Sequence, residues 1–103
     1  MLIVNSHNAI PIRLSDERWQ HIVRRHPELA SQRERVLETV AEPETIQEGD
    51  FGELLAIRFY PQTPLTNKFL VVAYREASSS DGCVVTAYFA RLRSERRKTL
   101  WKQ

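Results

Sequence analysis

The run Glu53–Tyr60, ELLAIRFY, sets the fold class of this chain. Leu55, Ile57 and Phe59 fall on one parity and Ala56, Arg58 and Tyr60 on the other, the two-residue period of a β-strand. Two similar runs follow, Lys68–Glu76 (KFLVVAYRE) and Cys83–Ala90 (CVVTAYFA), both rich in β-branched and aromatic residues. The segments PQTPLTN (61–67) and ASSSDG (77–82) separate them and read as turns, so consecutive strands are expected to pair as antiparallel hairpins. Ahead of them, GDFGE (49–53) reads as another turn and TIQEG (45–49) as a further short strand.

Upstream of these runs the period is helical. Ser15 is a good N-cap, with Asp16 and Glu17 favourable in a first turn, and the residue before Pro27 is biased away from the α region. A first helix is therefore expected from Ser15 to near His26. A second is expected over Ser31–Ala41, with Val36, Leu37 and Val40 as its apolar stripe and Pro43 closing it. The expected architecture is α+β: two N-terminal helices packed on a three- or four-stranded antiparallel sheet, finished by a short basic C-terminal helix. Each strand is expected to turn its cleaner apolar parity toward the helices. Arg58 and Tyr60 on one strand, and Thr86 and Tyr88 on another, would then share the second face.

Composition narrows the class. A chain of 103 residues makes one domain. No apolar run approaches the roughly 18 residues of a membrane span, and no basic-then-apolar leader opens the sequence. The single Cys83 excludes an internal disulfide and a cysteine-based zinc site, and fits a cytoplasmic protein. Net charge is only +2, but the tail Arg91–Lys102 holds six Arg or Lys against one Glu. Such clustering suits an anionic partner, nucleic acid first, although a solvated helix face would look the same. Dinucleotide-loop, phosphate-loop, zinc-protease and nucleophile-elbow motifs are missing. His21 and His26 are five apart, so they do not share one helical face as metal ligands would. Glu48, Asp50 and Glu53 surround a glycine turn without calcium-loop spacing.

The stretch WQHIVRRHPE (19–28) carries two of the three histidines. On a helical wheel, Trp19, Ile22, Val23 and His26 form one stripe, while His21 lies nearly opposite beside Arg24 and Arg25. His26 thus points toward the fold and His21 toward solvent. Either has a plain structural alternative, a packing histidine for His26 and a surface one for His21. Together with Arg58, Tyr60, Lys68, Thr86 and Tyr88 they supply the parts for RNA cleavage: proton carriers, guanidinium and ammonium groups for a phosphorane, and hydroxyls and rings to orient phosphate and base. The plain alternative for Arg58 and Lys68 is protection of a sheet edge.

The pieces RLSDERWQHIVRRHPEL, PETIQEGDFGELLAIRFY, KFLVVAYRE and DGCVVTAYFAR resemble the phage-associated nuclease-fold domains of the barnase, EndoU, colicin and RelE-like superfamily. The resemblance runs from about Arg13 to Arg91 within a single domain of residues 1–103. It implies a metal-independent, cofactor-free ribonuclease, toxin- or effector-like, with RNA (tRNA or ribosome-bound mRNA) and an antitoxin or immunity protein as partners. Carried over by motif, the catalytic roles fall on His26, with His21 second, and on Arg58, Lys68 and Thr86. Arg75, Tyr60, Tyr88 and Arg91 become substrate contacts. A module that binds RNA or a protein without chemistry is the alternative on the same fold.

Overall fold

The structure is a computed structural model that describes residues 1–66 and 68–103; the turn expected over 61–67 ends on Asn67, outside the described residues. Among the described residues seven strands form one mixed sheet: β1 Leu2–Asn5, β2 Pro11–Leu14, β3 Thr45–Glu48, β4 Leu54–Tyr60, β5 Lys68–Ser78, β6 Asp81–Ala90 and β7 Thr99–Lys102. Their spatial order is β1-β2-β6-β5-β4-β3-β7. All pairings are antiparallel except β2 with β6, which is parallel. Helices α1 Asp16–Arg25 and α2 Arg33–Ala41, linked through a 3-10 turn at Pro27–Leu29, lie on one side of the sheet. Among the described residues no helix is long and apolar enough to cross a membrane.

This overturns the expectation of two helices on a three- or four-stranded antiparallel sheet with a basic C-terminal helix. The sheet is larger, mixed, and the dominant element. The β1–β2 hairpin adds two strands at one edge, and β7 adds one at the other. The tail is not helical for a reason of reach. From β6 to β7 the chain must cross four strand spacings, about 19 Å at ~4.8 Å each. A helix over residues 91–98 would cover only about 12 Å, whereas an extended crossing has length to spare.

Helix α1 begins where Ser15 Oγ accepts the Arg18 N–H at 3.1 Å, and it carries Asp16 and Glu17 in its first turn and Arg24 and Arg25 in its last. It stops at His26, whose extended backbone (φ −134°, ψ 74°) is what the following proline requires. Ile22, Leu29, Val36 and Val40 are fully buried against Leu70, Val72, Tyr74 and Val84. At the sheet edges the His7 ring stacks on Trp101 with centroids 4.1 Å apart, tying the first hairpin loop to the last strand.

The expected assignment of faces is reversed on β4. Ala56 and Tyr60 belong to the helix-side core, while Leu55 and Ile57 cluster with Val71 and Ala73 on the opposite face. On β6 a bulge changes the parity. Ala73 pairs with Thr86 but Tyr74 with Val84, so Val85 is left unpaired between them. Val84 and Ala87 therefore join the helix side, and Val85 and Tyr88 the far side.

Candidate nucleic-acid interface

The far side of the sheet is crossed by residues 91–98, a basic strap. Its attachments are specific: Arg93 donates to Thr45 Oγ1 at 3.0 Å, Gln47 Nε2 donates to the Ser94 carbonyl at 2.8 Å, and the Glu48 N–H donates to the Lys98 carbonyl at 2.9 Å. Thr45 and Gln47 face the strap because they are register partners of Ile57 and Leu55. Arg97 makes a bidentate pair with Asp50 at 2.8 and 3.2 Å, which holds its guanidinium above the ordinary arginine pKa. The Arg93 guanidinium also lies 5.6 Å from the centre of the Phe69 ring.

Two hollows flank the strap. One of about 840 Å³ has Phe69, Arg93 and Lys102 in its wall, and one of about 650 Å³ has Tyr88, Asp50 and Lys98. Ser94, Arg96 and Arg97 line both. A phosphate at either is within the field of several cations, and the Phe69 and Tyr88 rings offer surfaces for a base.

His26 reaches this region through Tyr88. Their ring centroids are 6.2 Å apart, and Glu28 Oε1 lies 3.8 Å from His26 Nδ1. The imidazole is partly exposed, with its Nδ1 side toward the Glu28 carboxylate. A partly exposed histidine with a carboxylate beside it has the parts of a general acid or base. Thr86 stands two residues from Tyr88 on the same side of the sheet.

The other sequence-selected residues, Arg91 apart, lie elsewhere. Arg58 sits beneath α2, donating to the Glu42 carbonyl at 2.7 Å with its Nε 3.6 Å from Glu38. Tyr60 is buried beside it and donates to Glu38 Oε1 at 2.5 Å. Burial, then that hydrogen bond, pushes the Tyr60 hydroxyl up to about 12. Both residues thus fasten the C-terminal end of α2 to β4. Lys68 is the register partner of Tyr60, on the same helix side and remote from Thr86 and Tyr88. His21 is exposed in a groove with Ser15, Glu17 and Arg18. Arg75 is exposed on the far side and donates to the Phe51 carbonyl at 3.0 Å, and Arg91 is exposed where the strap leaves β6. The structure therefore brings His26 to Tyr88 beside a strap hollow, with Thr86 two residues away on the same face and Arg91 at the start of the strap, and separates them from Arg58, Tyr60 and Lys68. Sequence reasoning passed over Glu28 and the individual strap arginines, although the tail's charge had marked the region. No family model, curated protein or solved structure matches the chain.

Proposed function

We propose that the protein is a toxin- or effector-like cytoplasmic ribonuclease that cleaves RNA without a metal ion, using His26 beside the basic strap. The observation that carries this is the contact chain from Glu28 through His26 to Tyr88, a residue that itself lines a strap hollow with Arg96 and Arg97. In the proposed reaction the imidazole takes the proton of a ribose 2′-OH as that oxygen attacks phosphorus. The 5′-oxygen leaves with a proton, supplied by the Tyr88 hydroxyl or returned from His26, and a 2′,3′-cyclic phosphate remains. Strap arginines balance charge on the phosphorane oxygens. Thr86, on the same side, orients the phosphate. An antitoxin or immunity protein would oppose this activity by covering the strap with an acidic surface.

A second reading, RNA binding without chemistry, is favoured by the engagement of Arg58 and Tyr60 with Glu38, which ties up one expected catalytic residue and one expected substrate contact. Labelled tRNA and mRNA, each with and without ribosomes, separate the two. Fragments ending in 2′,3′-cyclic phosphate support cleavage. Intact RNA that nevertheless binds the folded protein supports the second.

A further inference from the structure

We propose a second, distal phosphate subsite, formed by Arg13, Arg18 and Arg75, which holds the same RNA some distance from His26; it rests on the RNA-directed reading above. The three side chains come from β2, α1 and β5, yet line one hollow of about 360 Å³ with Ser15 and Cys83. The sheet register brings them together: Arg13 and Arg75 are the cross-strand partners of Cys83 on its two sides. Arg18 is added by the N-cap, because Ser15 fixes the first turn of α1 over the end of β2.

Like charges gathered in one hollow repel unless an anion sits among them. Asp81 answers Arg13, through bonds of 2.8 and 3.1 Å. Among the described residues Arg75 commits one of its donors, to the Phe51 carbonyl, and keeps the others. Among the described residues the Arg18 side chain has no hydrogen-bond or ion-pair partner. Glu17 is close, in the adjoining groove with Arg18 and His21, so two carboxylates stand against three guanidinium groups. Guanidinium forks that remain open after internal pairing are matched to phosphate oxygens.

The subsite is in line with the proposed cleavage site. Cys83, Thr86 and Tyr88 succeed one another along β6; across the Val85 bulge the partners of Cys83 and Tyr88, Arg75 and Val71, are four residues apart on β5, a span of about 13 Å at ~3.3 Å each. At ~3.4 Å per stacked nucleotide that is about four nucleotides, too far for a trimer and within reach of a decamer. Thr86 lies midway, where its hydroxyl contacts the backbone of a strand running between the two ends.

The test uses single-stranded 2′-O-methyl oligonucleotides, which present RNA-like strands without a nucleophilic 2′-OH. Binding of a trimer and a decamer is followed by fluorescence anisotropy, for the wild type and for an Arg18→Ala, Arg75→Ala double variant. Both substituted side chains are exposed, and circular dichroism checks that the fold is kept. The expected result is a loss of about 10-fold or more for the decamer, a salt slope shallower by about 1.4, and no change for the trimer. Equal losses on both oligonucleotides, or none on either, overturn the subsite while leaving RNA binding in place. Failure of the wild type to bind either one overturns the RNA-directed reading with it.

Discussion

Removing Arg96 and Lys98 from the strap by an Arg96→Ala, Lys98→Ala double substitution has a calculable effect on binding of a short single-stranded RNA. Of the strap cations, Arg97 is committed to Asp50, and Arg93 to Thr45 and the Phe69 ring. Among the described residues Arg91, Arg96 and Lys98 have no side-chain partner, which leaves three cations for phosphate. Each phosphate neutralised on a single strand contributes about −0.7 to the slope of log K against log salt, so the wild type should show about −2. Affinity then falls about 20-fold between about 50 and 200 mM salt. The double variant retains Arg91 alone, and its expected slope is about −0.7, a fall of under 3-fold over the same range. Anisotropy titrations measure both slopes with an uncleavable, 5′-phosphorylated 2′-O-methyl trimer, which carries one phosphate for each of the three cations and is too short to bridge to the distal arginines. A variant slope as steep as the wild type's would refute the strap as the phosphate contact.

Three further outcomes concern the scaffold that positions the site. A Cβ at Gly82 would stand 2.3 Å from the Arg75 carbonyl oxygen and 2.6 Å from Ile12 Cδ1, so Gly82→Ala must push β6 from both neighbours. We expect a loss of about 2–3 kcal/mol in urea unfolding, and an unchanged midpoint would contradict the close approach of β2, β5 and β6. Ala9 holds φ 63° in the loop between β1 and β2, a left-handed conformation that costs an alanine roughly 1 kcal/mol, so Ala9→Gly should raise stability by about that amount. Burial chiefly, with the Glu38 bond second, raises Tyr60 from about 10 to about 12. Its contribution is intact below about pH 10 and is lost as the pH rises through about 12, a weakening of about 2–3 kcal/mol that Tyr60→Phe should remove from the alkaline unfolding curve.

Local features were legible where the signal is local. Ser15 and Pro27 bracket α1, and the apolar alternation of 53–60, 68–76 and 83–90 coincides with β4, β5 and β6 to within a few residues at their ends. Long-range features left little trace. β1 and β2 have four residues each, too few for periodicity, and β2 finds its parallel partner at Gly82, about seventy positions on from Ile12. Alternation shows which residues share a face but not which face meets a helix. Glu38 and the end of α2 make the polar parity of β4 the inner one. The bulge at Val85 hides in an unbroken apolar run. Composition marked the tail as a basic segment suited to an anionic partner. Its conformation depended on where the chain must next pair, beside β3 at the far edge.

The most direct test of the central proposal compares purified wild type with His26→Ala on labelled tRNA and on mRNA in the presence and absence of ribosomes. The wild type should generate fragments with 2′,3′-cyclic phosphate ends, and RNA carrying 2′-deoxyribose at the cut site should stay intact. The His26→Ala variant, folded and still binding RNA, should lose at least about 100-fold in rate, the ordinary contribution of a general acid or base. Cleavage by His26→Ala at the wild-type rate, or no cleavage by the folded wild type under any of these conditions, would contradict it.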